Sequence, residues 1–194
     1  MLIYRVKRRL PVHWLNFKRY KSDVARQAVP PHLNAAEFAR HYADKPQTDT
    51  EEYFSLSGEM CWDAVVLCAH RSGALSKAKY KQLWQTVFDK QYKHFVSPDD
   101  TEIRTMADML RAPQGCFIGI FSLRDAAAPR LLHAMIGTGA GFAAGNKNLC
   151  IGVGGAVGWE NLNLARDLRW QPEGGFLRQG DNEVLRIFYR PFPA

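Results

Sequence analysis

The sequence predicts an α+β domain, with helices first and an antiparallel sheet after them. Three observations carry this. Apolar residues recur at helical spacing up to about residue 110, and beyond Gly115 they alternate or run continuously in short segments. A glycine-rich stretch, Gly137-Thr-Gly-Ala-Gly141, separates two apolar segments as a hairpin turn would. Runs of helices followed by runs of strands give α+β rather than α/β. With 194 residues, 46% of them hydrophobic, the chain can bury one substantial core. The simplest organisation is a single domain, 1–194, with residues 1–50 a basic extension packed on or beside it.

Each element has its own signal. Leu2–Val6 reads as a strand, and Val12 to Val29 contains a short helix. Asn34, with Glu37 three positions on, is a capping pattern for a helix through Tyr42, and Pro46 to Thr50 reads as a polar loop. Ser57-Gly58 precedes an apolar helical run from Cys61 to about Gly73. Ser76 caps a further helix through Tyr80, Leu83, Trp84, Val87, Phe88 and Gln91. Asp99-Asp100-Thr101 opens another, which ends at Leu110 because Pro113 and Gly115 follow. Strands are expected at Cys116–Leu123, Leu131–Ile136, Phe142–Ala144 and Leu149–Val153, with a closing strand at Glu183–Tyr189; Trp159 to Trp170 is mixed.

Charge is unevenly placed. Residues 1–30 hold eight Lys/Arg against Asp23 alone, which accounts for the whole net charge of +7; the rest of the chain carries 18 residues of each sign. Tyr4, Trp14, Phe17 and Tyr20 lie among these cations. A non-enzymatic module that contacts nucleic acid or another acidic surface through this segment is therefore one reading, and a solvated basic face over core aromatics is the plainer one. No apolar run reaches the ~20 residues that cross a bilayer, and no secretory signal is visible. Synthesis in the cytoplasm is expected, with signal-independent delivery to a target cell compatible with the same sequence. Cys61, Cys68, Cys116 and Cys150 form no C-x-x-C pair, and no histidine pair has zinc spacing, so neither a metal nor a cofactor is expected. Gly139-Ala-Gly141-Phe-Ala-Ala144 fits the loose dinucleotide fingerprint, but that motif must open a helix, and Gly145-Asn-Lys-Asn148 intervenes.

Candidate chemistry centres on Cys61. A thiol in the first turn of a helix meets unpaired N–H groups and the positive dipole end, both of which favour thiolate. A nucleophilic thiol needs a base, and the base an orienter. His133, within Leu131-Leu-His-Ala-Met-Ile136, supplies the imidazole. A hairpin centred on Gly139-Ala140 pairs it with a residue near 146 or 147, so Asn146 or Asn148 could accept its N–H, with Asn148 slightly preferred; Asp167 is a more distant acceptor. Cys68, two turns deeper on the same helix, suits the core. Cys116 and Cys150 sit in apolar strands where burial raises a thiol's pKa. His70 can meet the dipole at the end of the Cys61 helix, and His13, His32, His41 and His94 lie among polar residues.

The segment Ser57-Gly-Glu-Met-Cys-Trp62, the run Ala112-Pro-Gln-Gly115 with Phe117–Phe121, and Leu132-His-Ala-Met-Ile-Gly137 together resemble the papain-like cysteine hydrolases, in particular the NlpC/P60 branch, over roughly residues 55–155. Departures from the family are the missing Asp-Cys and Gln-containing contexts before the thiol, and Glu59 near the place of an oxyanion donor. The resemblance implies a nucleophile helix packed on a C-terminal antiparallel sheet, with a Cys61–His133(–Asn) site. It implies a peptidase or amidase acting on a target protein or on peptidoglycan peptide; deamidation and acyl transfer use the same dyad. Small members of this kind are bacterial toxins or secreted effectors, and a cognate immunity protein is the partner that analogy suggests.

Overall fold

In a computed structural model the described residues are 31–44, 51–84, 96–147, 158–178, 180 and 182–192. The expectations for residues 1–30, 46–50 and 149–153, and those for Asn148, Cys150 and His94, fall outside them.

Among the described residues four helices precede the sheet: α1 (Pro31–Asp44), α2 (Glu51–Gly58), α3 (Cys61–Arg71) and α4 (Lys77–Leu83). Then come β1 (Thr101–Ile103), α5 (Met106–Arg111), β2 (Cys116–Ser122), β3 (Arg130–Gly139), β4 (Phe142–Asn146), β5 (Trp159–Asn163), α6 (Leu164–Asp167), β6 (Phe176–Leu177) and β7 (Val184–Pro191). The strands form one antiparallel sheet in the order β1-β7-β2-β3-β4-β5, with β6 added to β7. The mixed helix and antiparallel-sheet character read from the sequence is what the fold has.

Side-chain alternation divides the sheet into two buried faces. Phe117, Phe121, Ala134, Ile136, Ala144, Trp159 and Phe188 meet α1–α4, whose Phe38, Leu56, Trp62, Val65, Val66 and Leu83 fill the larger core. Ile118, Ile120, Met135, Ala143, Leu185 and Ile187 meet the short α5 and α6 through Met109, Leu164 and Ala165. This burial on both faces explains why β2 is apolar at nearly every position instead of alternating.

Several boundaries differ from the sequence reading. Helix α1 starts at Pro31, three residues before the expected cap at Asn34; proline suits a first helical turn because its missing N–H has no intrahelical partner there. Helix α2 was not expected. Thr101–Ile103 is a strand, not a helix start, because it pairs with Ile187–Tyr189 of β7. The helix begins instead at a capping box, in which Thr105 accepts from Asp108 N and Asp108 accepts from Thr105 N. Strand β3 runs on to Gly139, so the turn is shorter than Gly137–Gly141. It consists of Ala140 and Gly141, and both, like Gly139 at the end of β3, have positive φ (51°, 82° and 91°). Two glycines there relieve what would be strain for side-chain-bearing residues. Strand β7, expected to close the fold, lies inside the sheet between β1 and β2.

Candidate thiol site

Cys61 is the first residue of α3. Met60 before it is extended (φ −63°, ψ 150°) and supplies no side-chain cap, so the opening N–H groups of the helix are left for another acceptor. Backbone N–H groups of Ala134, Trp62 and Cys61 itself favour the sulfur as an anion. The helix is fixed from below, with Trp62 donating Nε1–H to Leu83 O at 3.0 Å and Ala64 to Ala69 buried. The expected helix start and anion-favouring donors are therefore present, and the thiol lies against β3. Its pKa nevertheless goes up: burial is the largest cause, Asp63 adds to it, and the three N–H groups only partly offset them. In this conformation the thiol is protonated at neutral pH.

The imidazole expected to act on it is on β3 but turned away. The register pairs His133 with Ile120 and Ala134 with Gly119. Cross-strand partners share a face, so His133 lies with Ile120 on the α5/α6 side, whereas Ala134 faces α3. His133 is fully buried, neither ring nitrogen has a hydrogen-bond partner, and burial pushes its pKa down to about 3. The expected Cys61–His133 ion pair is not formed here. The parity is set by a bulge. Phe121 pairs with Leu131 while Ile120 pairs with His133, which leaves Leu132 as the extra residue.

Asn146 is the expected site residue that the fold does bring to the thiol end. It ends β4 on the α3 side, and its Nδ2–H donates to Glu59 O at 2.6 Å, two residues before Cys61. Its Oδ1 is buried without a partner. Asn146 therefore ties the α2–α3 junction to the sheet and does not orient His133, which is on the other face. Asp167, on α6, instead accepts from Arg166 Nε at 2.9 Å. Glu59 presents its backbone carbonyl to Asn146, and burial raises its carboxyl pKa.

The remaining candidates settle into packing. Cys68 is fully buried and its thiol pKa is pushed far up by burial, while Cys116 is pushed up to about 12. His70 stacks on Tyr80 with ring centroids 4.6 Å apart, and its Nδ1 lies 3.0 Å from Leu75 O. The glycines of the loose dinucleotide fingerprint form the β3–β4 hairpin, and strand β4, not a helix, follows them directly. Among the described residues no group of three His, Cys, Asp or Glu is arranged to hold a metal ion, and no helix is long and apolar enough to cross a membrane.

Sequence reasoning passed over Glu160. It sits on β5 opposite Gly145, is nearly buried with Oε1 unpartnered, and has its pKa pushed up to about 7 by burial, with Lys147 pulling the other way. Its signal was a charged residue directly after the buried Trp159.

No protein-family model, no curated protein and no solved structure matches the chain.

Proposed function

We propose that the chain is a thiol hydrolase of amide bonds, with Cys61 as the nucleophile, acting on a protein or peptidoglycan peptide in the manner of a bacterial toxin or effector. The observation that carries this reading is the set of backbone N–H groups from Ala134, Trp62 and Cys61 that favour an anionic Cys61 sulfur at the start of α3. N–H groups at a helix start are an arrangement suited to a thiolate or to an adjoining oxyanion, although here burial outweighs them.

The described conformation is unprimed, because the thiol keeps its proton and the His133 imidazole is on the far face. The hydrolase reading requires the bulge at Leu132 to migrate past His133. In the register that Phe121 and Leu131 already keep, Leu132 would pair with Ile120 and His133 with Gly119. Gly119 faces the α3 side, as its contacts with Val96 and Phe121 mark. A one-residue slip exchanges faces, so His133 would take the place that Ala134 occupies beside Cys61. Its unpartnered nitrogens, costly where they are, favour that exchange.

With the imidazole in place the step is simple. His133 takes the thiol proton, the sulfur attacks the acyl carbon, and the C–N bond breaks as the imidazolium protonates the leaving amine. Water, deprotonated by the same imidazole, then cleaves the thioester and regenerates the thiol. The test is release of new primary amines from purified sacculi and from denatured casein. Wild-type activity that disappears in both Cys61→Ala and His133→Ala, with melting temperatures retained, supports the reading. Amine release that persists in Cys61→Ala overturns it.

A further inference from the structure

We propose that the cleft between α1 and the β3–β4 hairpin is a binding site for an organic carboxylate, with Arg40 as its anchor. The cleft measures about 440 Å³ and is lined by Arg40, Gln114, Thr138, Gly139, Phe142 and Asn161, among others. That size suits a small ligand. It lies on the α1 side of the sheet, four residues along β3 from the Ala134 backbone at Cys61, or about 13 Å at strand rise. Ile136 and Ala144, both fully buried, fill the space between. It is a separate site, and its occupancy does not depend on the thiol reading.

The chemistry of the lining selects the ligand. Arg40 donates through one guanidinium nitrogen to Thr138 O, and among the described residues it makes no ion pair. This aims the guanidinium into the cleft while leaving its other N–H groups for a ligand. Thr138 Oγ1 donates to Asn161 Oδ1 at 2.7 Å, which fixes the amide so that its NH2 end is the free one. Gln114 reaches over Gly139, with Oε1 and Cβ each 3.7 Å from where a Cβ on that glycine would stand. Those are ordinary van der Waals distances, so it is the φ of 91° that disfavours a side chain at 139.

Among the described residues the lining therefore offers one cation without an ion-pair partner and two side-chain amides, with no carboxylate. That combination attracts an anion, and a planar guanidinium beside amide donors matches a carboxylate. The Phe142 ring gives one apolar wall, so the carboxylate should be attached to an apolar or aromatic body, as at a peptide C-terminus.

The experiment is titration of the full chain, in its Cys61→Ala form, with N-acetylphenylalanine, N-acetylphenylalaninamide and inorganic phosphate. The readouts are calorimetry and amide chemical shifts of Gly139–Phe142. Saturable binding of the acid, at least tenfold weaker binding of the amide, and a tenfold or greater loss in Arg40→Gln are expected. A Gln114→Ala variant, altered in a loop side chain only, should lose several-fold and serves if Arg40→Gln does not fold. Equal binding of acid and amide, no response to the acid at 10 mM, or unchanged affinity in the variants overturns the proposal. Phosphate binding without acid binding does so as well, since it would assign the cleft to a different anion.

Discussion

Asn146 on β4 donates its side-chain amide to the carbonyl of Glu59 at 2.6 Å, so the strand end and the turn before Cys61 are held as one unit. This single bond spans 87 residues of sequence and positions the thiol's helix against the sheet. Truncation in Asn146→Ala leaves the Glu59 carbonyl without that donor. A loss of about 1–2 kcal/mol in unfolding free energy is expected, measured by urea denaturation. Faster alkylation of Cys61 should accompany it as the junction loosens; unchanged stability would mean that the bond contributes nothing net.

His133 and Glu160 set opposite pH limits. His133 is pushed down to about 3 from 6.5, so between those values the unfolded chain binds a proton that the folded one does not, and stability falls as pH is lowered. Glu160 is pushed up to about 7 from 4.5, so the folded chain holds the extra proton in that window, and stability falls as pH is raised. The two slopes oppose each other where the windows overlap. The expected melting-temperature profile is flat from about pH 4.5 to 6.5, with declines on both sides, and the acid limb approaches ~1.4 kcal/mol per pH unit. A profile that keeps rising through pH 7 contradicts the Glu160 part.

Replacing the orphaned imidazole by a hydrocarbon removes an uncompensated desolvation cost. His133→Leu is expected to stabilise the fold by about 1–3 kcal/mol near neutral pH. It should also flatten the acid limb below pH 6.5. Under the proposed mechanism the same variant hydrolyses nothing. Destabilisation instead would show that the ring has a partner in solution, as the shifted register provides.

Cys61 alkylation by iodoacetamide reports the register directly. In the described conformation its pKa is raised, so labelling should be slow at pH 6 and accelerate above pH 9. It should still lead Cys68 and Cys116, which are fully buried. Rapid, selective labelling of Cys61 at pH 6 that vanishes in His133→Ala would show the imidazole beside the sulfur.

Gly119 guards the position that His133 would take. A Cβ there falls 2.6 Å from Phe121 Cε2 and 2.8 Å from Val96 Cγ1. Gly119→Ala is therefore expected to cost about 1–3 kcal/mol by overpacking, read from the denaturation midpoint. A neutral outcome would show that Phe121 and Val96 shift to make room on this face.

The α+β order, the Cys61 helix and its end near Gly73, the Ser76 cap and the β3–β4 hairpin were legible in the sequence residue by residue, because each rests on local periodicity, capping or turn chemistry. The sequence also offered Asn146 as a partner for His133, but in the fold Asn146 instead donates to the carbonyl of Glu59. Tertiary structure alone decided the rest. Thr101–Ile103 became a strand because β7, some 85 residues away, offered it partners. The face taken by His133 depended on whether one extra residue is accommodated before or after it, and a bulge at Leu132 has no signature in an unbroken apolar run. Alternation makes such a one-residue difference total: it separates a base beside the thiol from an imidazole in the opposite core.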